Sequence, residues 1–264
     1  MLPYITFFGR VIPMYGLMGV GGVALGLIVS VLCCRRLELD RSDCAYLYVY
    51  GAVGALVGAK VLYLLTVLPQ LLAELPLLWE DPGRFLATYV TGGLVFYGGL
   101  LGAVAGAALA GRYFAVRLRD YLPVFVPVFP LIHALGRVGC FCAGCCYGRE
   151  ASWGIAFSNS PFAPNGVPLI PVQLMEAAAE VLIALVLLRY AAARPSPWRL
   201  LGAYGILYAP VRFVLEFLRG DEVRGLLWGL STSQWLSLAV AAASAALLLG
   251  PWLKGRIKLR IFTL

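Results

Sequence analysis

The segment HALGRVGCFCAGCCYGR, His133 to Arg149, holds the only histidine of the chain, an arginine four residues later, and four of its seven cysteines. On a helix, His133 and Arg137 project from one face. Cys140, Cys142, Cys145 and Cys146 form a C-x-C-x-x-C-C cluster just beyond them. Three chemistries fit it. In an oxidising compartment a disulfide can pin the loop, with Cys142 bonded to Cys145 or Cys146. Four thiolates beside an imidazole also suit zinc, but the spacing is not that of a known zinc module and no second ligand pair stands elsewhere, so no metal is assigned. Finally, the cations Arg137 and Arg149 favour thiolate character, hence a functional thiol site at Cys140, Cys142, Cys145 and Cys146. Cys33, Cys34 and Cys44 read as small apolar residues.

Charges stand where charges are costly. Lys60 sits deep in GALVGAKVLYLL, Glu176 stands near the start of the fifth apolar run in PVQLMEAAAE, and Arg212 and Glu216 lie in YAPVRFVLEFLRG. Ionisable groups inside spanning helices mark function by default. Arg212 and Glu216 are four apart and can pair, which by itself only satisfies buried charge. Lys60, Arg137 and Arg212 nevertheless outnumber Glu176 and Glu216, so an anion is missing from the inventory. A guanidinium fork matches phosphate oxygens, and among lipids that anion is a phospholipid headgroup. Snorkelling to an interface is the alternative for Lys60. The glycines of GGLVFYGGLLGAVAGAALAG let helices approach closely. The doublets around Tyr97, Gly98 and Gly99 among them, can instead turn backbone amides toward a ligand.

The elements that position these residues are membrane helices. Of the 264 residues, 61% are hydrophobic and 13% charged, with a mean hydropathy of +0.87, whereas soluble domains carry about 25% charged residues. The chain reads as an all-α integral membrane protein, a single polytopic domain over 1–264. Apolar runs near 13–34, 44–68, 92–111, 122–141, 172–190, 200–218 and 232–252 predict about seven transmembrane helices. Basic residues follow the first run (Arg35, Arg36, Arg41), the third (Arg112, Arg117, Arg119), the fifth (Arg189, Arg194, Arg199) and the seventh (Lys254, Arg256, Lys258, Arg260). The opposite side carries Arg10, Arg84, Arg149, Arg219 and Arg224. This asymmetry places the N-terminus outside and the C-terminus in the cytoplasm. The net charge of +8 is then a matter of anchors meeting anionic lipids, and nucleic acid is not a partner. MLPYITFFGR lacks the pattern of a cleaved leader. The outward connections 69–91 and 142–171, rich in proline, asparagine and glycine, predict ordered periplasmic loops rather than helix.

Taken in order, these motifs resemble the phosphatidylglycerol–prolipoprotein diacylglyceryl transferases of bacterial inner membranes. MYGLM at 14–18 is similar to that family's first-helix tyrosine motif, GGLVFYGGLLG at 92–102 to its glycine-rich motif, and GRVGCFCAGCCYGR at 136–149 to its signature. PVQLMEA at 171–177 and VRFVLEFLRGDE at 211–222 resemble its last two blocks. The resemblance implies a multi-pass inner-membrane enzyme without nucleotide or organic cofactor. Such an enzyme moves the diacylglyceryl unit of phosphatidylglycerol onto the lipobox cysteine of a prolipoprotein bearing its signal peptide. Carried onto this chain, Arg137 and Arg212 neutralise the departing phosphate, Tyr15 lines the headgroup site, and Gln173, Glu176, Glu216 and Arg219 build the polar network around it.

Two positions depart from the family. Its usual histidine in FHGG is Tyr97 here, and the asparagines and glutamate of GRxGNFxNGExxGR are replaced by Cys140, Ala143 and Cys145. A proton acceptor and a carboxylate are gone. His133, beside the Arg137 cation, can replace the base as a neutral imidazole, or it can be a structural histidine bonded to a carbonyl. Tyr97 is a poorer base and better suited to a headgroup hydrogen bond. These departures also admit a relative that transfers a lipid-derived group to another acceptor, exchanges thiols, or only binds phospholipid.

Overall fold

The computed structural model describes residues 2–221 and 225–261. Glu222 and Arg224 lie outside the described residues, as do the side chains of Lys254, Arg256, Lys258 and Arg260. In chain order the elements are the hairpin β1 (Tyr4–Phe7) and β2 (Arg10–Pro13), then helices α1 (Met14–Leu37), α2 (Arg41–Thr66), α3 (Leu68–Ala73), α4 (Leu77–Glu80) and α5 (Pro82–Leu86). A π-helical turn (Ala87–Thr91) leads to α6 (Phe96–Tyr113) and α7 (Leu118–Ala143), then to β3 (Glu150–Ala156) and β4 (Pro168–Leu169). Helices α8 (Val172–Ala192) and α9 (Pro197–Glu216), the hairpin β5 (Leu226–Leu227) and β6 (Leu230–Ser231), and α10 (Thr232–Ile261) follow. Each of the seven apolar runs is helical. Among the described residues four helices, Met14–Leu37, Arg41–Thr66, Leu118–Ala143 and Thr232–Gly250, are long and apolar enough to cross a membrane by length and composition. The others have a physical reason to score lower: α6 is diluted by glycine, and α8 and α9 carry ionisable residues.

The chain forms two compact units, Glu38–Tyr121 and Met1–Leu37 with Leu122–Leu264. In the first, α2 and α6 pack along facing glycines. A Cβ on Gly58 would overlap the carbonyl of Gly98, and one on Gly102 the carbonyl of Gly54. Small residues thus bring the two backbones together, as expected where lipid offers no hydrophobic drive for association. Gly98 packs on α2 in the same way, a Cβ there overlapping Gly58 O and Leu62 Cβ. Gly99 likewise faces Ala55 and Ala59 at van der Waals distance.

Lys60 is also accounted for inside this unit. Its Nζ donates to the carbonyls of Tyr89 (3.2 Å) and Gly92 and stands 4.9 Å from the Tyr63 ring centroid. A cation at the end of a helical turn satisfies carbonyls that have no partner within the helix. Lys60 therefore straps the 87–92 segment onto α2, a role the sequence reading, which gave it to a headgroup, did not foresee.

The 69–91 connection is a second correction, because much of it is short helices rather than loop. Proline stands in the first turn of both α3 and α5, where its missing N–H is no loss, and Asp81 caps α5 by accepting from Arg84 N at 3.0 Å. The buried Tyr89 hydroxyl donates to Glu74 Oε2 at 2.8 Å, and Gln70 Nε2 donates to Glu74 Oε1 at 3.2 Å. Burial and the carboxylate push the Tyr89 phenol up to about 12. The same tyrosine bond, then that of Gln70, holds the Glu74 carboxyl below its ordinary range. A lowered carboxylate contributes stability that is complete above its unfolded pKa and is lost as the pH falls through the folded value. Amide exchange across 74–91, corrected for intrinsic rates, is therefore expected to quicken on acidification. Glu74→Gln, which keeps an acceptor but cannot titrate, is expected to remove that acid dependence.

In the second unit the hairpin β1–β2 runs straight into α1. α7 packs closely on α1: a Cβ on Gly139 would stand 3.3 Å from Tyr15 Cα, and one on Gly22 would stand 3.2 Å from Ile132 O. Residues 144–171 are ordered, as the sequence predicts. β3 pairs with β4, and Phe157, Ala163 and Leu169 make a small core with Phe141 and Tyr147 packed against it. α8 rests on this loop through Val172 and Ile170, and α9 joins them through Leu215.

Candidate functional site

Three helices each contribute a pair of polar residues four apart. α7 brings His133 and Arg137, α8 brings Glu176 and Glu180, and α9 brings Tyr204 and Tyr208. The i, i+4 spacing sets each pair one above the other on a single helix face, and the three faces meet as two rungs. In the first rung His133 Nδ1 lies 2.5 Å from Glu180 Oε1, which also accepts from Tyr204 OH at 3.4 Å. In the second, Arg137 Nε lies 3.0 Å from Glu176 Oε2, and Tyr208 OH donates to Glu176 Oε1 at 2.7 Å. The two tyrosine rings stack at 5.7 Å, and the His133 ring meets Tyr208 edge-on. Glu180 is 0% and Glu176 1% exposed.

Three prolines inside α7, at 123, 127 and 130, precede this face, and Pro127 and Pro130 are fully buried. Proline is tolerated there because neighbouring helices can satisfy the backbone groups it frees.

A second charged layer sits at the end of α9. Arg212 Nη2 donates to Ser233 Oγ at 3.0 Å on α10 and pairs with Glu216 Oε2 at 2.7 Å. Arg212 Nη1 is buried and has no hydrogen-bond partner among the described residues. Arg219, just past the helix, makes a bidentate pair with Asp221, its Nε donating at 2.7 Å to Oδ1 and its Nη2 to Oδ2. The signature loop is stitched to this point. Arg149 N donates to Leu218 O at 2.8 Å, Gly220 N to Tyr147 O at 3.0 Å, and Gln173 Nε2 on α8 to Cys145 O at 2.8 Å.

The charge inventory of the sequence reading is overturned here. Glu180, which that reading did not count among the buried charges, adds a carboxylate. Within this unit Glu176, Glu180 and Glu216 outnumber Arg137 and Arg212, and each arginine already has a carboxylate beside it. The case for an anion therefore shifts from charge surplus to the unpartnered donor on Arg212, since buried donors are otherwise nearly always satisfied.

Three of the four cysteines of 140–146 are drawn together. Cys140 closes α7, and Cys145 and Cys146 follow the turn at Gly144. No disulfide joins Cys140, Cys142, Cys145 or Cys146. The Sγ atoms of Cys140, Cys145 and Cys146 lie within 4.8 Å of one another, and Cys142 is not part of that group. The reason is helical: two residues along α7 turn Cys142 about 200° away from Cys140. Hydrogen bonds with Cys140 and Cys145 lower the Cys146 thiol, helped by Arg219 and Arg137, while those with Cys140 and Cys146 raise Cys145. Tyr15, in the first turn of α1, is 51% exposed. With Pro3, Tyr4, Pro13, Ala143, Cys145, Pro161 and Phe162 it lines a cavity of about 320 Å³.

Of the residues singled out by sequence, Tyr15, His133, Arg137, Cys140, Cys145, Cys146, Gln173, Glu176, Arg212, Glu216 and Arg219 all lie in this unit. Tyr97, Lys60, Gly98 and Gly99 lie in the unit 38–121, where Tyr97 is 52% exposed in the first turn of α6. Sequence reasoning missed Glu180, Tyr204, Tyr208, Ser233 and Asp221. The i, i+4 repeat of Glu176 and Glu180 in MEAAAE, and of the two tyrosines in YGILY, was the signal available for four-residue spacing on one face.

A family model described as Prolipoprotein diacylglyceryl transferase matches residues 3–250. The chain is 33% identical over 237 residues to a Clostridium tetani protein named phosphatidylglycerol–prolipoprotein diacylglyceryl transferase, covering 88% of this chain and 90% of that one. It is 32% identical over 255 residues to a Clostridium perfringens protein of that name numbered 2, covering 94% of each. A Methylibium petroleiphilum protein of the same name is 32% identical over 224 residues, covering 81% of this chain and 80% of that one.

Proposed function

The chain belongs to the prolipoprotein diacylglyceryl transferase family, and from that premise we propose that it moves the diacylglyceryl unit of phosphatidylglycerol onto the lipobox cysteine thiol of a prolipoprotein, releasing glycerol phosphate. The observation that carries this reading is the Arg212 guanidinium, held through Nη2 by Glu216 and Ser233 with a buried Nη1 left to donate. A fixed donor aimed at an oxygen that gains charge as the C–O bond breaks lowers the barrier without reorganisation at the moment of reaction. Arg137, oriented by Glu176, is the second such cation. Tyr15 stands by the headgroup, and Gln173, Glu176, Glu216 and Arg219 fix the surrounding polar network.

His133 serves in this account as a positioning residue. It lies seven residues before Cys140 on α7, about 10 Å along the helix, and its Nδ1 is committed to Glu180. The His133–Glu180–Tyr204 rung braces the three helices so that Arg137 keeps its orientation. In the same reading α1, α2 and α6–α10 are seven spans of the bacterial inner membrane, with the N-terminus outside and the signature loop at the outer face. Membrane phospholipid and the prolipoprotein signal peptide are then the partners.

The test is complementation. In a bacterium depleted of its own diacylglyceryl transferase, this chain is expected to restore growth and the diacylglyceryl mass shift on a model lipoprotein. Folded, membrane-inserted protein without that shift would overturn the transferase reading.

A further inference from the structure

We propose that Cys140, Cys145 and Cys146 form a three-thiolate site for a thiophilic divalent cation, zinc by its chemistry, whose fourth position takes the acceptor thiol of the transfer reaction. The role of that fourth position rests on the transferase reading above; the cation site itself does not.

The first support is convergence. The three Sγ atoms lie within 4.8 Å of one another, and a tetrahedral zinc with Zn–S bonds of about 2.3 Å sets its sulfurs about 3.8 Å apart. Small changes of side-chain torsion close that difference.

The second is construction. Gly144 takes φ +80°, and Cys146, which carries a side chain, takes φ +59°. Residues with a Cβ avoid this left-handed region, and such conformations persist where the surroundings over-determine them, at ligand clamps among other places. The surroundings do so here. Gly144 N and Cys145 N both donate to Cys140 O, at 2.9 and 3.1 Å, Gln173 Nε2 holds Cys145 O at 2.8 Å, and Ser160 Oγ holds Ala143 O at 3.1 Å. A turn pinned from α8 and from the following loop presents three thiols to one point.

The third is charge and access. Three thiolates around a divalent cation leave one negative charge, and Arg137 lies three residues before Cys140 on α7. The 320 Å³ cavity reaches Cys145 between Tyr15, Ala143 and Phe162, and its lining is almost wholly apolar. Catalytic zinc sites keep three protein ligands and an open position, whereas structural ones close with four. Among the described residues the group holds three, because Cys142 points elsewhere.

The chemistry balances without a redox step. The acceptor thiol displaces metal-bound hydroxide, its proton leaving with that hydroxide as water, and the bound sulfur is a thiolate at neutral pH. A sulfur electron pair then forms the C–S bond to the glyceryl carbon as its C–O bond to phosphate breaks. The electron pair of that bond stays on glycerol phosphate, beside Arg212. The product thioether is a weaker ligand than a thiolate, so water replaces it.

The experiment uses the full chain, purified in detergent without chelator. About one zinc per chain is expected by elemental mass spectrometry, and cobalt in its place is expected to give a thiolate-to-cobalt charge-transfer band. That band is expected to shift when a lipobox peptide is added and not when its cysteine is serine. Cys140→Ser, Cys145→Ser and Cys146→Ser are expected to lose the metal and to slow transfer by about 10²–10⁴-fold, the usual worth of removing a thiol's proton. Cys142→Ser keeps both metal and transfer. Absence of metal after zinc loading, a disulfide between two of the three thiols in the active protein, or parental transfer by the Cys146→Ser variant would overturn the proposal. Bound zinc in a chain that transfers nothing would instead keep the cation site and sink the transferase reading.

Discussion

Arg212→Lys is expected to lower diacylglyceryl transfer by about 10²–10³-fold, the usual cost of removing one preorganised donor from a developing oxyanion. Lysine keeps the positive charge, so a merely electrostatic anchor would survive the change. What it loses is the fork. Arg212 uses Nη2 for both Glu216 and Ser233 and has Nη1 to spare, while an ammonium on a flexible stem cannot brace and reach at once. The loss is expected in kcat more than in KM, because the phosphate gains charge only as the bond breaks. Arg212→Ala is a poorer probe. It strands Glu216 as an uncompensated buried charge, a penalty of about 3–5 kcal/mol, and confuses folding with chemistry. Transfer at the parental rate by Arg212→Lys would remove this residue from the phosphate site.

The second large effect falls on stability. Glu180→Leu is expected to destabilise the protein by several kcal/mol, since the partly buried His133 and Tyr204 both lose their acceptor and each unsatisfied group costs about 1–3 kcal/mol. Glu180→Gln retains an acceptor for one of the two and should lose less. Pairing either change with Tyr204→Phe in a thermodynamic cycle should give a coupling of about 0.5–3 kcal/mol, as for residues of one network. Thermal unfolding in detergent measures all four proteins. A Glu180→Leu variant as stable as the parent would show that the rung does not brace the bundle.

Much of the fold was legible because apolar runs and their flanking charges need no tertiary knowledge. All seven runs are helices, and the loop after α7 is ordered. The short helices of 68–86 were not legible, since proline reads as a breaker until its position in a first turn is known. Nor was the strap from Lys60 to the carbonyls of Tyr89 and Gly92, which depends on a chain reversal about 30 residues away. In the site, Arg137, Glu176, Arg212 and Glu216 announced themselves as charges in apolar surroundings. Glu180 was lost in an alanine-rich helix start, and with it the third carboxylate that matches Lys60, Arg137 and Arg212 in number. Tyr204 and Tyr208 look like membrane aromatics until their hydroxyls find the two glutamates. The cysteine spacing left the grouping open, because a helix end and a left-handed turn decide which thiols meet.

The most direct test of the central claim uses the purified chain in vesicles of phosphatidylglycerol with a lipobox peptide, read by mass spectrometry. The account predicts a peptide heavier by one diacylglyceryl group on its cysteine, equimolar glycerol phosphate, and neither product when phosphatidylglycerol is replaced by phosphatidylcholine. An unmodified peptide from well-folded protein, in phosphatidylglycerol and with zinc supplied, would contradict it.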